Sequence, residues 1–437
     1  MTEKLKILLV QPAWESLGYR RKIKIDERKI HPLSVGVVAA LCGTHAVRII
    51  DEALERVPWT EKYDLVGISA NTYTAPRAFE LADRFRKLRI PVVLGGHHTS
   101  FLPDECLQHA DSLVVGDAED TWPQLLEDFQ AGGMKQRYTS GFDQSGKSIP
   151  SPRRDLFFRT KRTAAYCQVS RGCDNRCRFC YLQYLPCKKM RYRDPEEVRR
   201  ELLTIQEEII LFVDDNLFCD RKYCLDFFKL ITPLKKKWWI QAPTSLHSDD
   251  ELISAMAASG CFSVSIGFQT STNLNNQNES IYQNNTDNYQ KLVKLLHKHV
   301  ILVDGTFIFG FDGDTKNIFK NTGRLIRRIG LDTYTFYFLT PYPGTDYYSS
   351  LKAEGRLIEN STARFDWDHV VVKPEKMTEN ELRLGVKRLY RNLDMRYYLQ
   401  SAIRRFKMYR RVFTTWSLFK FLLSLSRNYL SSQIDPD

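Results

Sequence analysis

The stretch "SRGCDNRCRFCYLQ", residues 170–183, places Cys173, Cys177 and Cys180 at C-x3-C-x2-C spacing and puts Phe179 directly before the last of them. Three soft thiolate donors on one short segment can hold three corners of an iron–sulfur cube and leave its fourth iron without a protein ligand. A zinc site is usually completed by four nitrogen or sulfur ligands in paired spacings, and no such pairing is completed here. Cys167 and Cys187 flank the trio as candidate fourth ligands, although free cysteine commonly behaves as a small hydrophobe, so packing or exposure is the plainer reading for both.

The segments around this trio divide the 437 residues into units. Residues 1–135 alternate short apolar runs ("LKILLVQP", "AVRIID", "YDLVGISA", "IPVVLGG", "DSLVVGD") with helical stretches, the pattern of a Rossmann-like, doubly wound parallel sheet. Ligand crevices in such sheets lie at the loops after the strands, which here read "SANTYT" and "GGHHTS". Residues 136–161 are rich in Gly, Ser and Pro and read as a linker. Residues 162–362 carry six strand-like runs separated by helices near 195–207, 249–259, 287–298 and 315–329, which predicts a partial (β/α)6 barrel with its site at the C-terminal strand ends. An Asn- and Gln-rich insert at 273–290 reads as an exposed loop, and residues 363–437 as a helical extension.

Composition excludes several classes. With 43% hydrophobic and 27% charged residues the chain is expected to fold rather than remain disordered. Ten cysteines are too few for a disulfide framework. No apolar run reaches the length of a spanning helix, and the start lacks a signal-peptide pattern, so the expected location is cytoplasmic. The net charge of +12 gathers largely near the C-terminus, where a basic run precedes an apolar one in "AIRRFKMYRRVFTTWSLFKFLLSLSRNYL" (402–430). That pattern suits either a helix packed on its own domain or peripheral contact with a membrane surface. A nucleic-acid partner would call for a basic face interleaved with aromatics, and none is expected.

The cysteine trio on the loop after the first barrel strand resembles the radical S-adenosylmethionine superfamily. The segments "VVLGGHHTSFLPDE", "PSPRRDLF", "FVDDNLFCD" and "PYPGTDYYSSLKAEGRL" resemble its branch with an N-terminal cobalamin-binding-type domain. The resemblance implies a 4Fe–4S cluster on Cys173, Cys177 and Cys180, whose open iron chelates S-adenosyl-L-methionine. An electron from a donor such as flavodoxin or ferredoxin then cleaves that cofactor to a 5′-deoxyadenosyl radical. It also implies cofactor contacts by Phe179, by Asp214, Asp215 and Asn216 in "FVDDN", and by Gln269, where the family commonly has Glu. Gly305 and Gly310 in "GTFIFGFDG" are implied near the adenine, and Ser69, Asn71, Gly95, Gly96 and His97 on the cobalamin side. The Asp-x-His-x-x-Gly motif that ligates cobalt is absent, so cobalamin is expected without it. The implied reaction is methylation of an unactivated carbon in a small or lipid-like metabolite. Cobalamin-independent radical cyclisation or rearrangement is the alternative.

Overall fold

The computed structural model describes residues 3–14, 31–141, 149–158, 162, 164–186, 189–270 and 286–412. The first sheet is built from β1 (Lys6–Gln11), β2 (Ala46–Asp51), β3 (Leu65–Ser69), β4 (Val92–Gly95), β5 (Ser112–Val115) and β6 (Arg137–Thr139), in the order β2-β1-β3-β4-β5-β6. Every neighbouring pair is parallel. Order reverses at β1, so the helices alternate faces and the central strands are covered twice. This explains why β1 and β3 read as continuous apolar runs rather than alternating ones: Ile7, Leu8, Leu9 and Val10 are all buried. One face packs on α2 (Ala75–Lys87), the other on α1 (Leu33–Ala40) and α5 (Ala118–Gln130), whose Trp122 fills the space over Gly67. The short helices α3 (His97–Phe101) and α4 (Pro103–Cys106) follow β4. The sheet runs further than its sequence pattern suggests, because β6 lies in the stretch read as linker and adds a sixth strand beside β5.

The second sheet contains β7 (Ala164–Cys167), β10 (Ile209–Phe212), β11 (Lys237–Ala242), β12 (Cys261–Gln269), β13 (Leu302–Phe309) and β14 (Thr333–Phe338). Its order, β14-β13-β12-β11-β10-β7, is sequential and wholly parallel, which is the open six-stranded barrel. A two-residue antiparallel ribbon, β8 (Ser170–Arg171) with β9 (Arg191–Tyr192), frames the cysteine loop. The crossovers are α6 (Pro195–Thr204), α7 (Arg221–Ile231), α8 (Asp250–Ala258), α9 (Thr286–Lys298) and α10 (Ile318–Ile329), followed by α11 (Asp346–Ala353). Asp194, Asp220 and Asp249 cap α6, α7 and α8 through their side chains, so three consecutive crossovers start on the same signal. Most of the insert at 273–290 lies outside the described residues.

The C-terminal extension is partly a structural member of the barrel. Helix α12 (Glu379–Val412) buries Leu382, Val386, Leu389 and Leu393 in the barrel core. Residues 413–437, which carry most of the apolar half of the terminal stretch, lie outside the described residues. Among the described residues no helix is long and apolar enough to cross a membrane.

Gly305 sits in the middle of β13, where a Cβ would meet Leu331 Cδ1 at 2.3 Å and Phe268 Cδ2 at 3.2 Å. Both neighbours are fully buried. Gly305→Ala is therefore expected to lower stability by about 1–3 kcal/mol through overpacking, read as a lower urea midpoint at unchanged m-value.

Candidate functional site

The C-terminal ends of the two sheets face one another across a cavity of about 390 Å³. Its N-terminal wall comes from Gly67 and Ser69 of β3, from Gly95, Gly96 and His97 after β4, and from Gly116, Asp117 and Trp122 after β5. The barrel supplies Gln168, Arg171, Gly172, Tyr181, Leu182 and Asp215. At two of these glycines a side chain would collide with the surrounding protein. A Cβ on Gly67 would lie 2.8 Å from Leu9 Cδ2 and 3.0 Å from Trp122 Cη2. Gly96, at φ +103°, would press its Cβ within 2.6 Å of the Ala70 carbonyl oxygen.

Electrostatics lock the two walls together. Asp117, beginning α5, pairs with Arg171 of β8 at 2.8 Å and with Arg191 of β9, and Glu119 pairs with the same Arg171 at 3.1 Å. All four groups are largely buried, and the two arginines hold the Asp117 carboxyl below its usual range against the burial that would raise it. Farther round the seam Gly344, at φ +87°, lets the "TPYPGT" turn approach Phe101, whose carbonyl oxygen would lie 2.8 Å from a Cβ there. A run of rings continues that contact. Tyr181 and Tyr342 are 4.7 Å apart between centroids, Tyr342 and Trp367 6.0 Å, Trp367 and Tyr73 5.7 Å, and Tyr73 and Trp14 5.1 Å. His97 joins this seam 5.0 Å from Tyr181. Its side chain is exposed to the cavity, and desolvation followed by the nearby Arg171 charge lowers its pKa below the usual imidazole value.

The cysteine loop leaves the ribbon immediately beside this cavity. Cys173, Cys177 and Cys180 are all partly exposed, and Cys180 N donates to the Cys177 carbonyl at 2.9 Å, turning the chain back within the loop. Asn216 Nδ2 reaches Cys173 Sγ at 3.7 Å. The neighbouring Cys219 side chain is the foremost influence lowering the Cys173 thiol below its usual range. Burial instead pushes the Cys180 thiol up to about 12. Among the described residues no three His, Cys, Asp or Glu side chains converge as ligands of one ion. Three thiols spread along one loop suit a cube, whose irons occupy separate corners. The donor set therefore fits an iron–sulfur cluster, and the glycine-lined interdomain cavity fits a large flat cofactor.

The structure separates the sequence-expected residues into groups. Ser69, Gly95, Gly96, His97 and Asp215 line the cavity. Asp215 accepts from Gly172 N at 2.9 Å, fixing the residue before Cys173. Asp214 points elsewhere: its Oδ1 accepts from Val169 N at 3.0 Å, from Ser170 N, and from Ser170 Oγ at 2.8 Å, so it holds the ribbon rather than lining the cavity. Gln269 ends β12 at φ +59°, next to a bulge, a strained conformation typical of functional strand ends. Phe179 packs in T-shaped contact with Phe311, 5.7 Å away. Asn71 caps the turn Thr72–Thr74. Gly310 lies in a turn whose amides donate to Asp314, and Gly305 belongs to the core. Cys167 is buried and Cys187 lies outside the described residues. Sequence reasoning missed Asp117, Arg171, Arg191 and Cys219, which have no local motif and acquire meaning only through contacts distant in sequence.

A cysteine-lined barrel mouth closed by a glycine-cradled Rossmann-like domain defines an iron–sulfur enzyme with an interdomain cofactor cavity. Two family profiles match, the Radical SAM superfamily over residues 167–326 and the B12 binding domain over residues 27–126. The chain belongs to the radical S-adenosylmethionine superfamily, in the branch that carries a B12-binding domain, and its cofactors are a 4Fe–4S cluster, S-adenosylmethionine and cobalamin. It is 29% identical over 406 residues to bacteriochlorophyllide d C-12(1)-methyltransferase of Chlorobaculum tepidum, covering 87% of this chain and 86% of that one. Hopanoid C-2 methylase of Rhodopseudomonas palustris is 24% identical over 360 residues, 78% of this chain and 68% of the methylase. Among solved structures, the cobalamin-dependent S-adenosylmethionine radical enzyme OxsB superposes with a TM-score of 0.70 at 14% identity, covering 99% of this chain and 72% of that chain, a likeness of fold.

Two outcomes test this geometry. Cys173→Ala, Cys177→Ala and Cys180→Ala should each abolish cluster absorption after anaerobic reconstitution, whereas Cys167→Ala should retain it. Asp214 is raised to about 7 in the folded protein because burial outweighs its hydrogen bonds. A carboxyl whose folded pKa exceeds its unfolded value binds a proton more tightly when folded, so its contribution to stability falls as pH rises from about 4 through about 7. Asp214→Asn keeps an acceptor without the charge. Urea titrations at pH 5 and pH 8 should show the variant gaining on the wild type as pH rises.

Proposed function

We propose that the protein methylates an unactivated carbon of an apolar, ring-bearing small molecule held between its two domains. The observation that carries this reading is the shared cavity: Gly172, directly before Cys173, and Asp215, which accepts from the Gly172 amide, line the same space as the Gly67–Gly95–Gly96 cradle. Two reaction centres at one cavity let a substrate face both without leaving it. When bound, the cluster with S-adenosylmethionine supplies a hydrogen-abstracting radical, and cobalamin supplies the methyl group.

The chain's own residues bind, orient and exclude water. Leu182, Leu185, Val35 and Val38 give the cavity apolar walls that suit a hydrocarbon or macrocyclic surface, and the Tyr181–Tyr342–Trp367 rings close its side against solvent. A dry site protects a reactive intermediate from quenching. His97, exposed to the cavity and with its pKa lowered, offers a neutral ring nitrogen there. Asp215 and Asn216 hold the first turn of the cysteine loop and would offer an acceptor and a donor to a co-substrate bound there. Gln269 at this end of β12 can hydrogen-bond but cannot take up a proton, so proton removal is not assigned to it. The named activities of the bacteriochlorophyllide and hopanoid relatives, both on large apolar ring systems, support the substrate class. A one-electron donor of the flavodoxin or ferredoxin class completes the requirements.

The same apolar substrate class gives the basic stretch at Arg404, Arg405, Lys407, Arg410 and Arg411 a proposed role in loose contact with anionic membranes, at about 1 kcal/mol per charge. Flotation with anionic liposomes should carry the full chain at low salt but not at high salt, and a chain ending at Tyr397 should not float.

The methyltransferase reading is tested by reconstituting the protein anaerobically with and without cobalamin and supplying methyl-labelled S-adenosylmethionine with candidate bacteriochlorin and triterpenoid acceptors. Label in a carbon-bound methyl group together with 5′-deoxyadenosine, both dependent on cobalamin, is expected. Equal turnover without cobalamin would replace methylation by a cobalamin-independent radical rearrangement.

A further inference from the structure

The cavity has an inner arm that runs into the first domain between its sheet and the helices α1 and α5. Alternate residues of β1, β3, β4 and β5 point to that side, and two rows of them line the cavity. Ser69, Gly95 and Gly116 stand at or just beyond the strand ends, and Leu9, Gly67, Val93 and Val114 lie one pleat further in. Polarity falls along the arm. At its mouth Ser34 Oγ lies 3.4 Å from Ser69 Oγ, and Ser100 Oγ donates to the Gly96 carbonyl at 3.1 Å while accepting from Gly116 N at 2.9 Å. Beside the inner row the polar side-chain group is the Trp122 indole N–H, and it is turned away into a hydrogen bond with Cys42 Sγ at 3.2 Å. The edge of that indole stands over Gly67, where a Cβ would lie 3.0 Å from Cη2. Leu9, Val93, Val114 and Trp122 are each no more than 3% exposed, so the tip of the arm is dry as well as apolar.

We infer that Trp122 is a specificity-determining residue for the corrinoid: it closes an arm that selects the base at the end of the cofactor's nucleotide tail, accepting a benzimidazole and rejecting a purine. The inference rests on the assignment of this cavity to cobalamin. A nucleotide tail is a phosphate and a ribose followed by a flat heteroaromatic ring, so its polar links match the serine hydroxyls of the mouth and its ring matches the apolar tip. Dimethylbenzimidazole carries two methyl groups and a single free ring nitrogen. Adenine in the same place carries an amino group and several ring acceptors, all of which lose water on entry. Each polar group buried without a partner weakens binding by about fivefold to a hundredfold, and neither Leu9, Val93 and Val114 nor an indole N–H already given to Cys42 can replace the lost water. Trp122 thus selects by withholding its donor as well as by presenting an apolar ring.

The test measures binding, not turnover. Full-length protein with its cluster reconstituted is equilibrated anaerobically with cobalamin, with the corrinoid that carries adenine as its lower base, and with cobinamide, which lacks the nucleotide; free corrinoid is read after ultrafiltration. The wild type is expected to bind cobalamin about tenfold or more tightly than either of the others. Trp122→Gln places an amide at the tip and Val114→Thr adds a hydroxyl at nearly constant shape, and each should lower the preference for cobalamin over the adenine form by about threefold or more. Trp122→Phe, still apolar, should keep that preference. General loosening of the domain weakens all three ligands alike and cancels in the ratio, and if Trp122→Gln does not fold, Val114→Thr decides. Equal binding of cobalamin and cobinamide by the wild type would overturn the inference, since the arm would then take no base. Equal binding of the two bases would do the same, as would an unchanged ratio in a folded Trp122→Gln or, failing that, in Val114→Thr. A wild type that binds none of the three would overturn the cobalamin assignment of the cavity along with the inference.

Discussion

The buried ion cluster of Asp117, Glu119, Arg171 and Arg191 is the constraint on which the site depends. Its acids stand at the start of a helix in the first domain and its bases on the short ribbon that frames the cysteine loop in the second. Charges buried this way are costly unless paired, and removing one partner leaves another stranded, typically at a cost of about 3–5 kcal/mol. The pairs therefore fix the separation of the walls more sharply than apolar contact would. A second buried set works behind the ribbon, where Glu201 of α6 binds both Arg154 from the interdomain stretch at 2.6 Å and Arg193 at 2.7 Å. The chain between the domains is thus anchored at its end, and the ribbon is held from the cavity side and from the barrel side.

This arrangement makes the cavity a property of both domains jointly. Neither sheet encloses it alone. Each contributes what its strand ends naturally offer: the first domain a row of glycines that admits a broad ligand close to the backbone, the barrel a loop of thiols and a pair of polar groups after β10. Aromatic rings from both domains and from the segment after α11 seal the side between them.

Much of this was legible in the chain. Apolar runs of β1, β3, β4 and β5 and the six barrel strands carry period and punctuation that specify parallel sheets, and the C-x3-C-x2-C spacing announces its chemistry locally. The cavity-lining Ser69, Gly95, Gly96 and His97 follow from the rule that crevices lie after such strands. What escaped was relational. Asp214 and Asp215 are adjacent and look interchangeable, yet in the turn after β10 one side chain accepts three donors from Val169 and Ser170 and the other lies at the cavity edge. Gly305 reads like a ligand glycine and is a packing one, because its neighbours Leu331 and Phe268 arrive from other elements. Equally illegible was β6, three residues long and too short for a period to register.

The order of these parts along the chain bears on how the protein is made. Domains fold as units during synthesis, N-terminal first. The glycine cradle with Asp117 and Glu119 is thus shaped while the ribosome has yet to release the barrel, and its two acids wait in water for arginines that arrive later. The barrel in turn is not closed until Leu382 to Leu393 of the last described helix reach its core. Until then the thiols stand on an unfinished scaffold, exposed to any adventitious metal or oxidant. The thiols are therefore carried on a barrel whose core is completed only by the last described helix.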